Sequence, residues 1–228
     1  MIISHKYRFI FIKTRKTAGR SIETYLSSLC DCRDVFTPVF PPEPGHRPRN
    51  YKRRWDIRSE LGAAGCAGKV QAVLDWLGKR PFRNHSTAAE IKARVNPEIW
   101  REYTTFCVDR NPWEKTVSHY NTCRHYRNPP GDFEDYLSRE EYCFNYPSYC
   151  DRSGNVLVDR VLHYENLEDE LADLFAALGV PFRKGVITNA GRIVRQSKPD
   201  YREVYTDKQK ALIERVFSRE IVLNGYRF

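Results

Sequence analysis

Nowhere in its 228 residues does the chain hold an apolar run approaching the roughly 20 residues that a bilayer-spanning helix needs, so no transmembrane anchor is expected. The charged, strand-like stretch Lys6-Tyr-Arg-Phe-Ile-Phe-Ile-Lys13 stands where a signal peptide would carry its apolar core, so a soluble, unexported, cytoplasmic chain is expected. CxxC pairs are absent, and Cys30, Cys32, Cys66, Cys107, Cys123, Cys143 and Cys150 show no zinc-ligand spacing with histidine. An odd count of seven cysteines without pairing reads as reduced thiols, with a Cys143–Cys150 disulfide left open. A Gly-x4-Gly-Lys-Ser/Thr loop is missing, which excludes a Walker A site. Internal repeats, low-complexity segments and recognised nucleic-acid-binding motifs are missing too.

What the chain does have is enough apolar content, 41%, for one sizeable α/β core, and a formal charge of +9 that calls for an anionic partner. Charge alone does not choose among a nucleotide, a polyanionic glycan, nucleic acid or an acidic membrane surface, and a basic surface also serves solubility.

Local patterning supplies the organisation. Tyr7 to Lys13 is rich in aromatic and β-branched residues and reads as a buried strand; a polar loop follows, then Ile22, Tyr25, Leu26 and Leu29 at helical spacing. The proline-dense segment Phe36 to Tyr51 reads as a surface excursion. Val70, Val73, Leu74 and Leu77 make one apolar face of a helix, and Ser86 or Thr87 caps a short helix that ends before Pro97. Tyr103 to Val108 is a second strand, running through Arg110 and Asn111 into a helix that Pro112 opens and that carries Trp113, Val117 and Tyr120. Asp151 to Asn155 is a turn leading to Val156–His163, a hairpin arm or a strand entering the sheet. Asn166 to Leu178 reads as an amphipathic helix stopped by Gly179 and Pro181, and Thr206 caps a last helix through Phe217.

Two strand ends thus deliver polar loops to helix starts. The first, Lys13-Thr-Arg-Lys-Thr-Ala-Gly-Arg-Ser21, combines helix-terminal amides, a glycine, hydroxyls and the ammonium of Lys16, which are the parts of an oxyanion cradle. The second, Arg110-Asn-Pro-Trp-Glu-Lys-Thr-Val-Ser118, sets an arginine at a strand end and a serine two helical turns on, so that both can address one phosphate. Singly, each also reads as a capped helix start or a surface ion pair.

Together the two segments resemble the 5'-phosphosulfate loop and the 3'-phosphate motif of sulfotransferases that use PAPS (3'-phosphoadenosine 5'-phosphosulfate). Within that superfamily the chain is most similar to the carbohydrate branch, which includes heparan-sulfate 2-O-sulfotransferase, and to related bacterial proteins. Val158-Asp-Arg-Val-Leu-His-Tyr-Glu-Asn-Leu167, and the ending from Tyr201 to Phe228, fit the same branch. About residues 32 to 80 are not covered. The resemblance implies an α/β fold, with a central mainly parallel sheet flanked by helices and P-loop-like nucleotide binding, as a single domain over 1–228. The segment of about 32–80 would be an elaborated, acceptor-binding insertion.

The resemblance also implies roles. Arg15, Lys16, Thr17, Ala18, Gly19, Arg20 and Ser21 would receive the phosphosulfate, with Lys16 at the bridging oxygen, and Arg110 and Ser118 would hold the 3'-phosphate. Arg15 stands where the family usually has proline, and Arg20 where a small hydroxyl residue is common. Arg192 and Lys198, in the basic loop 191–198, would add late cofactor contacts unless that loop is a solvated charge run. Arg183-Lys-Gly185 matches in three residues a motif of other branches.

His85 precedes Ser-Thr-Ala-Ala-Glu-Ile, resembling the family's His-x-Thr-Ala stretch, and a near-neutral histidine suits proton abstraction from an acceptor hydroxyl. An ordinary helix-start histidine is the competing reading, and Glu60 or Asp56 would be alternative bases. His119, His125 and His163 read as structural, His5 and His46 as surface residues. The expected reaction is in-line transfer from PAPS, releasing PAP (adenosine 3',5'-bisphosphate), with no metal. The acceptor bears a hydroxyl; an anionic glycan is favoured, and a small metabolite or lipid stays open. Oligomeric state is not determined. Two alternatives remain: a phosphotransferase or nucleotide hydrolase using Asp109 as a magnesium carboxylate, and a basic nucleic-acid-binding module, a partner class not otherwise expected.

Overall fold

The computed structural model describes residues 1–63, 66–126, 131–189 and 200–228. Its strands are β1 (Ile2–Ser4), β2 (Phe9–Ile12), β3 (Val35–Phe36), β4 (Thr104–Asp109) and β5 (Arg160–His163). They form one five-stranded sheet in the order β3-β1-β2-β4-β5. β1 is antiparallel to both its neighbours, whereas β2, β4 and β5 are mutually parallel, so only β1 runs against the other strands. The α/β class expected from the sequence is the one observed.

Every residue of β2 is buried, the pattern of a strand covered on both faces. Alternation then sorts the side chains. Phe9, Phe11, Phe106 and Val108 face one layer, while Ile10, Ile12 and Cys107 face the other.

The helices follow in chain order: α1 (Gly19–Ser27), α2 (Arg58–Ala63), α3 (Cys66–Leu77), α4 (Ala88–Arg94) and α5 (Pro97–Glu102) before β4. Between β4 and β5 lie α6 (Pro112–Tyr126), α7 (Phe133–Ser138) and α8 (Tyr146–Tyr149). After β5 come α9 (Leu167–Leu178), α10 (Val186–Asn189), α11 (Asp207–Val216) and α12 (Ser218–Asn224). Ile22 and Leu26 of α1 and Leu171, Leu174 and Phe175 of α9 fill the first layer; Ala88 and Ile91 of α4 and Tyr149 of α8 fill the second. A third, aromatic cluster joins Trp113 of α6 to Tyr136, Phe217 and Tyr226. None of the helices among the described residues is long and apolar enough to cross a membrane.

The helix starts follow the sequence signals. Thr87 and Thr206 both close capping boxes, with Glu90 and Gln209, and Gly179 ends α9 in the left-handed conformation. Several expectations need correction. The strand read from Tyr7 begins at Phe9, because Arg8 takes a positive φ of 55° in the turn from β1. The stripe Val70, Val73, Leu74 and Leu77 is helical but faces solvent, since α3 packs through its other side, including fully buried Ala72. His46 is buried, its ring set edge-on to Phe36 at 6.0 Å, and His5 is half-buried with Nδ1 2.9 Å from the Tyr103 hydroxyl. Turn 151–155 serves both readings offered for it: Cys150 bridges Val156, and the chain then enters β5. Cys143 and Cys150 are buried free thiols.

Phe106, fully buried on β4, stacks on Phe11 at 5.1 Å and meets Phe175 edge-on at 6.1 Å, so its ring joins the sheet to α9. Phe106→Ala should lower unfolding free energy by about 3–5 kcal/mol in a denaturant titration. A loss below about 1 kcal/mol would show that the core closes over the gap and that this ring is not the joint.

Candidate functional site

β2 ends at Ile12 and α1 starts at Gly19, and the six residues between make an unusual turn. Lys16 and Ala18 both adopt left-handed backbone, with φ of 63° and 58°, which L-residues enter only where the surroundings over-determine it. Left-handed residues alternating in this way gather successive N–H groups into an anion-binding concavity. Immediately behind it, α1 has no side-chain cap and no acidic residue in its first turn, so its leading amides and positive dipole end are open to an anion. Gly19 is required by close approach: a Cβ there would lie 2.8 Å from Lys13 Cγ. Lys13 itself is buried and donates to Glu23 (2.5 Å) and Asn84 (2.9 Å), a structural role. Burial pulls its pKa down against the pull of Glu23.

Hydroxyls and one amide hold the turn in place. Thr14 and Thr17 Oγ1 atoms lie 2.8 Å apart, and Thr14 donates to the Val108 carbonyl on β4. The Asn145 side chain receives the Arg15 N–H at 2.9 Å and donates to the Arg15 carbonyl at 3.0 Å.

At the end of β4, Arg110 reaches the same turn, donating NH1 to the Lys16 carbonyl (3.0 Å) and NH2 to Glu114 (2.6 Å) while lying 4.0 Å above the Tyr164 ring. Its Nε is buried and has no hydrogen-bond partner among the described residues. Lys16 Nζ donates to Thr122 Oγ1 at 2.5 Å, and that hydroxyl donates to the Ser118 carbonyl at 3.1 Å. The structure therefore gathers the loop, Arg110 and the Ser118 turn of α6.

His85 joins them from the other side, with Nδ1 2.9 Å from the Lys13 carbonyl. A carbonyl only accepts, so Nδ1 carries the proton and Nε2 keeps its lone pair. The ring is exposed along part of its surface, yet the protein packed around it lowers its pKa to about 4, against the Lys13 carbonyl and with help from the Lys13 and Arg15 cations. His85 is a neutral acceptor at physiological pH.

The remaining candidates are placed as follows. Arg20 is exposed and paired with Glu43 at 2.7 Å, Arg15 is exposed, and Ser21 is half-buried in the first turn of α1. Arg192 and Lys198 lie outside the described residues, as does the side chain of His125. Glu60 is taken by Arg94 at 2.5 Å and by the Trp55 indole at 3.2 Å. Lys184 pairs with Asp169. His119 bonds the Tyr136 hydroxyl at 2.8 Å and His163 bonds Glu170 at 3.1 Å, both as structural residues.

Asp109 is buried and saturated. Oδ1 accepts from Arg110 N (2.8 Å), Asn145 Nδ2 (3.0 Å) and Lys115 Nζ (3.3 Å); Oδ2 accepts from the Tyr149 hydroxyl (2.7 Å) and Asn224 (3.3 Å). Lys115 also donates to Glu220, and the two carboxylates outweigh burial and raise its pKa. The sequence reading missed Asn145, Thr122 and Glu220, whose partners are remote in sequence; the one local signal was an asparagine directly before Tyr146-Pro147.

Fold and candidate site together define an α/β protein whose left-handed turn, Arg110 and His85 meet at the carboxyl ends of its parallel strands. No protein-family model matches the chain. Over 119 residues, 50% of this chain and 95% of the relative, it is 31% identical to an uncharacterized protein of Archaeoglobus fulgidus, and it belongs to the same family as that protein. Among solved structures it is similar to mouse sulfotransferase SULT7A1 complexed with PAP, at TM-score 0.45 and 12% identity over 96% of this chain and 85% of that one. It is also similar to a sulfotransferase from Alicyclobacillus acidocaldarius, at TM-score 0.42 and 15% identity over 97% and 96% of the two chains. Superpositions this loose record a likeness, and no activity follows from them.

The His85 environment has a direct readout. Its imidazole should titrate by NMR near pH 4, well below the ordinary 6.5. Because the unfolded chain takes up this proton at higher pH than the folded one, the stability tied to neutral His85 is complete above about pH 6.5 and is lost as pH falls toward 4. A midpoint at or above 6.5 would contradict the partly desolvated, carbonyl-bonded ring.

Proposed function

We propose that the protein is a PAPS-dependent sulfotransferase of the carbohydrate type, moving a sulfuryl group to an acceptor hydroxyl. One observation carries the reading. The left-handed turn at Lys16 and Ala18 and the buried, partly unpartnered guanidinium of Arg110 meet at the Lys16 carbonyl, giving two cationic cradles side by side at a helix start. A nucleotide with phosphates at both ends of its ribose fits that donor set.

PAPS would supply the sulfuryl group and a stable bisphosphate leaving group. The backbone amides of Arg15 to Ser21 line one cradle, with the exposed Arg15 and Arg20 side chains at its edge. The Thr17 hydroxyl, already engaged by Thr14, serves the loop's shape. Lys16 offers its ammonium to charge developing on the leaving oxygen, where a preorganised cation contributes most. Arg110 and Ser118 form the second cradle, Arg110 through the Nε that no described residue satisfies. His85 accepts the acceptor's proton at Nε2, since Nδ1 is committed to Lys13 and the ring is neutral.

The acceptor is assigned to a cleft of about 1200 Å³ bordering the segment 53–60, α4 and the stretch 146–153. Arg53, Arg54, Lys92, Arg94, Arg152 and Arg219 outnumber Asp56, Glu60, Glu90 and Asp151 on its walls, beside Trp55 and Tyr146, and that excess of cations suits an anionic glycan. On this reading the 32–80 segment supplies part of the acceptor-binding wall within one sulfotransferase domain. A phosphotransferase reading needs Asp109 on a metal, and both its oxygens are filled by protein donors.

Calorimetric titration with PAP, without magnesium, tests the cofactor site. The protein should bind, and Arg110→Ala should weaken binding by about 10- to 100-fold through loss of charge-assisted hydrogen bonds. Absence of PAP binding by folded protein, with salt-dependent binding to arbitrary DNA, would move the assignment to a nucleic-acid module. In a sulfation assay over an anionic-glycan panel, His85→Ala should lower kcat about 10²- to 10⁴-fold and leave PAP affinity within about twofold. Full turnover in that variant would remove His85 as the base.

A further inference from the structure

We infer that Asn145 is the positioning residue that locks the anion-binding turn and sets it in register with Arg110. The inference rests on the PAPS-site reading above. Lys16 and Ala18 sit in backbone conformations that L-residues avoid, so something outside the turn must hold it. Thr14 and Thr17 secure its far side, and Asn145 secures the near side by closing on both polar groups of one residue, the N–H and C=O of Arg15. A side-chain amide bonded to both is indifferent to the residue's side chain, which explains how an exposed arginine is carried in the middle of the turn.

The amide's orientation is determined. Asn145 is fully buried, and its Nδ2 faces Asp109 Oδ1 at 3.0 Å; a carboxylate only accepts, so nitrogen stands there and the oxygen faces the Arg15 N–H. Its own backbone N–H donates to Glu220 at 2.5 Å, as Tyr146 N–H does at 2.9 Å. Asp109 also receives the Arg110 backbone N–H at 2.8 Å. One carboxylate therefore ties the turn, through Asn145, to the residue that carries the second cradle. Asn145 touches neither phosphate position; it acts through Arg15.

The test compares PAP titrations and thermal unfolding of wild type, Asn145→Ala and Leu171→Ala, the last a buried residue of α9 in the core layer with no part in the site. Asn145→Ala should lose about 10- to 100-fold in PAP affinity, while Leu171→Ala loses melting temperature and keeps wild-type affinity. Asn145→Ala binding within twofold of wild type overturns the inference. So does a loss that Leu171→Ala reproduces at equal melting temperature, which is general destabilisation. Amide exchange in unliganded wild type decides the matter if Asn145→Ala does not fold. The Arg15 N–H should exchange at least about 100-fold slower than an exposed amide, and exchange at the exposed rate sinks the clamp. Failure of wild type to bind PAP, with Arg15 still protected, removes the PAPS reading and leaves the clamp standing.

Discussion

A buried ionic cluster at the end of β4 is the constraint on which the site depends. Lys115, Asp109 and Glu220 are all fully buried, and each brings a desolvation cost of several kcal/mol that is offset only when every lone pair and proton is matched. Here the matching draws in Asn145, Tyr149, Asn224 and the Arg110 amide, so α6, α8, α12 and β4 are fastened at one point. Asn145 carries that point to the turn through Arg15, so the backbone that holds two left-handed residues rests on a matched ionic cluster.

The electrostatic design above that foundation is asymmetric. Lys13 shares the buried Glu23 carboxylate with the Met1 amine, while Arg110 is only partly spent on Glu114 and the Lys16 carbonyl. Lys16 and Arg110 bring two cations to the turn, and the His85 imidazole is bonded to the carbonyl of Lys13 at its start. The cations around His85 help to keep it unprotonated.

Much of this was legible in the sequence where the signal is local. The apolar run ending at Ile12, the polar turn, and the helical spacing of Ile22 and Leu26 announce strand, loop and helix, and Pro112 after Asp109 announces the second strand-to-helix junction. Thr87 and Thr206 declare their helices three residues ahead. β1 and β3 are too short to show alternation, α5 and α12 too short to show a face, and the stripe on α3 obeys helical periodicity without being covered. Periodicity reports which side of a helix is apolar, not whether anything packs there.

By itself, then, the sequence determined the fold class and the two strand-to-helix loops that carry Lys16 and Arg110, because backbone periodicity, caps and turn residues act within a few positions. Tertiary structure decided the rest. It set the tautomer of His85 through a carbonyl 72 residues away and its charge state through the protein packed around the ring. It turned Asp109 from a candidate metal ligand into a saturated anchor, and it brought Asn145 to Arg15 across 130 residues. Hydrogen bonding and desolvation depend on what is near in space, and for these groups spatial neighbours are distant in sequence.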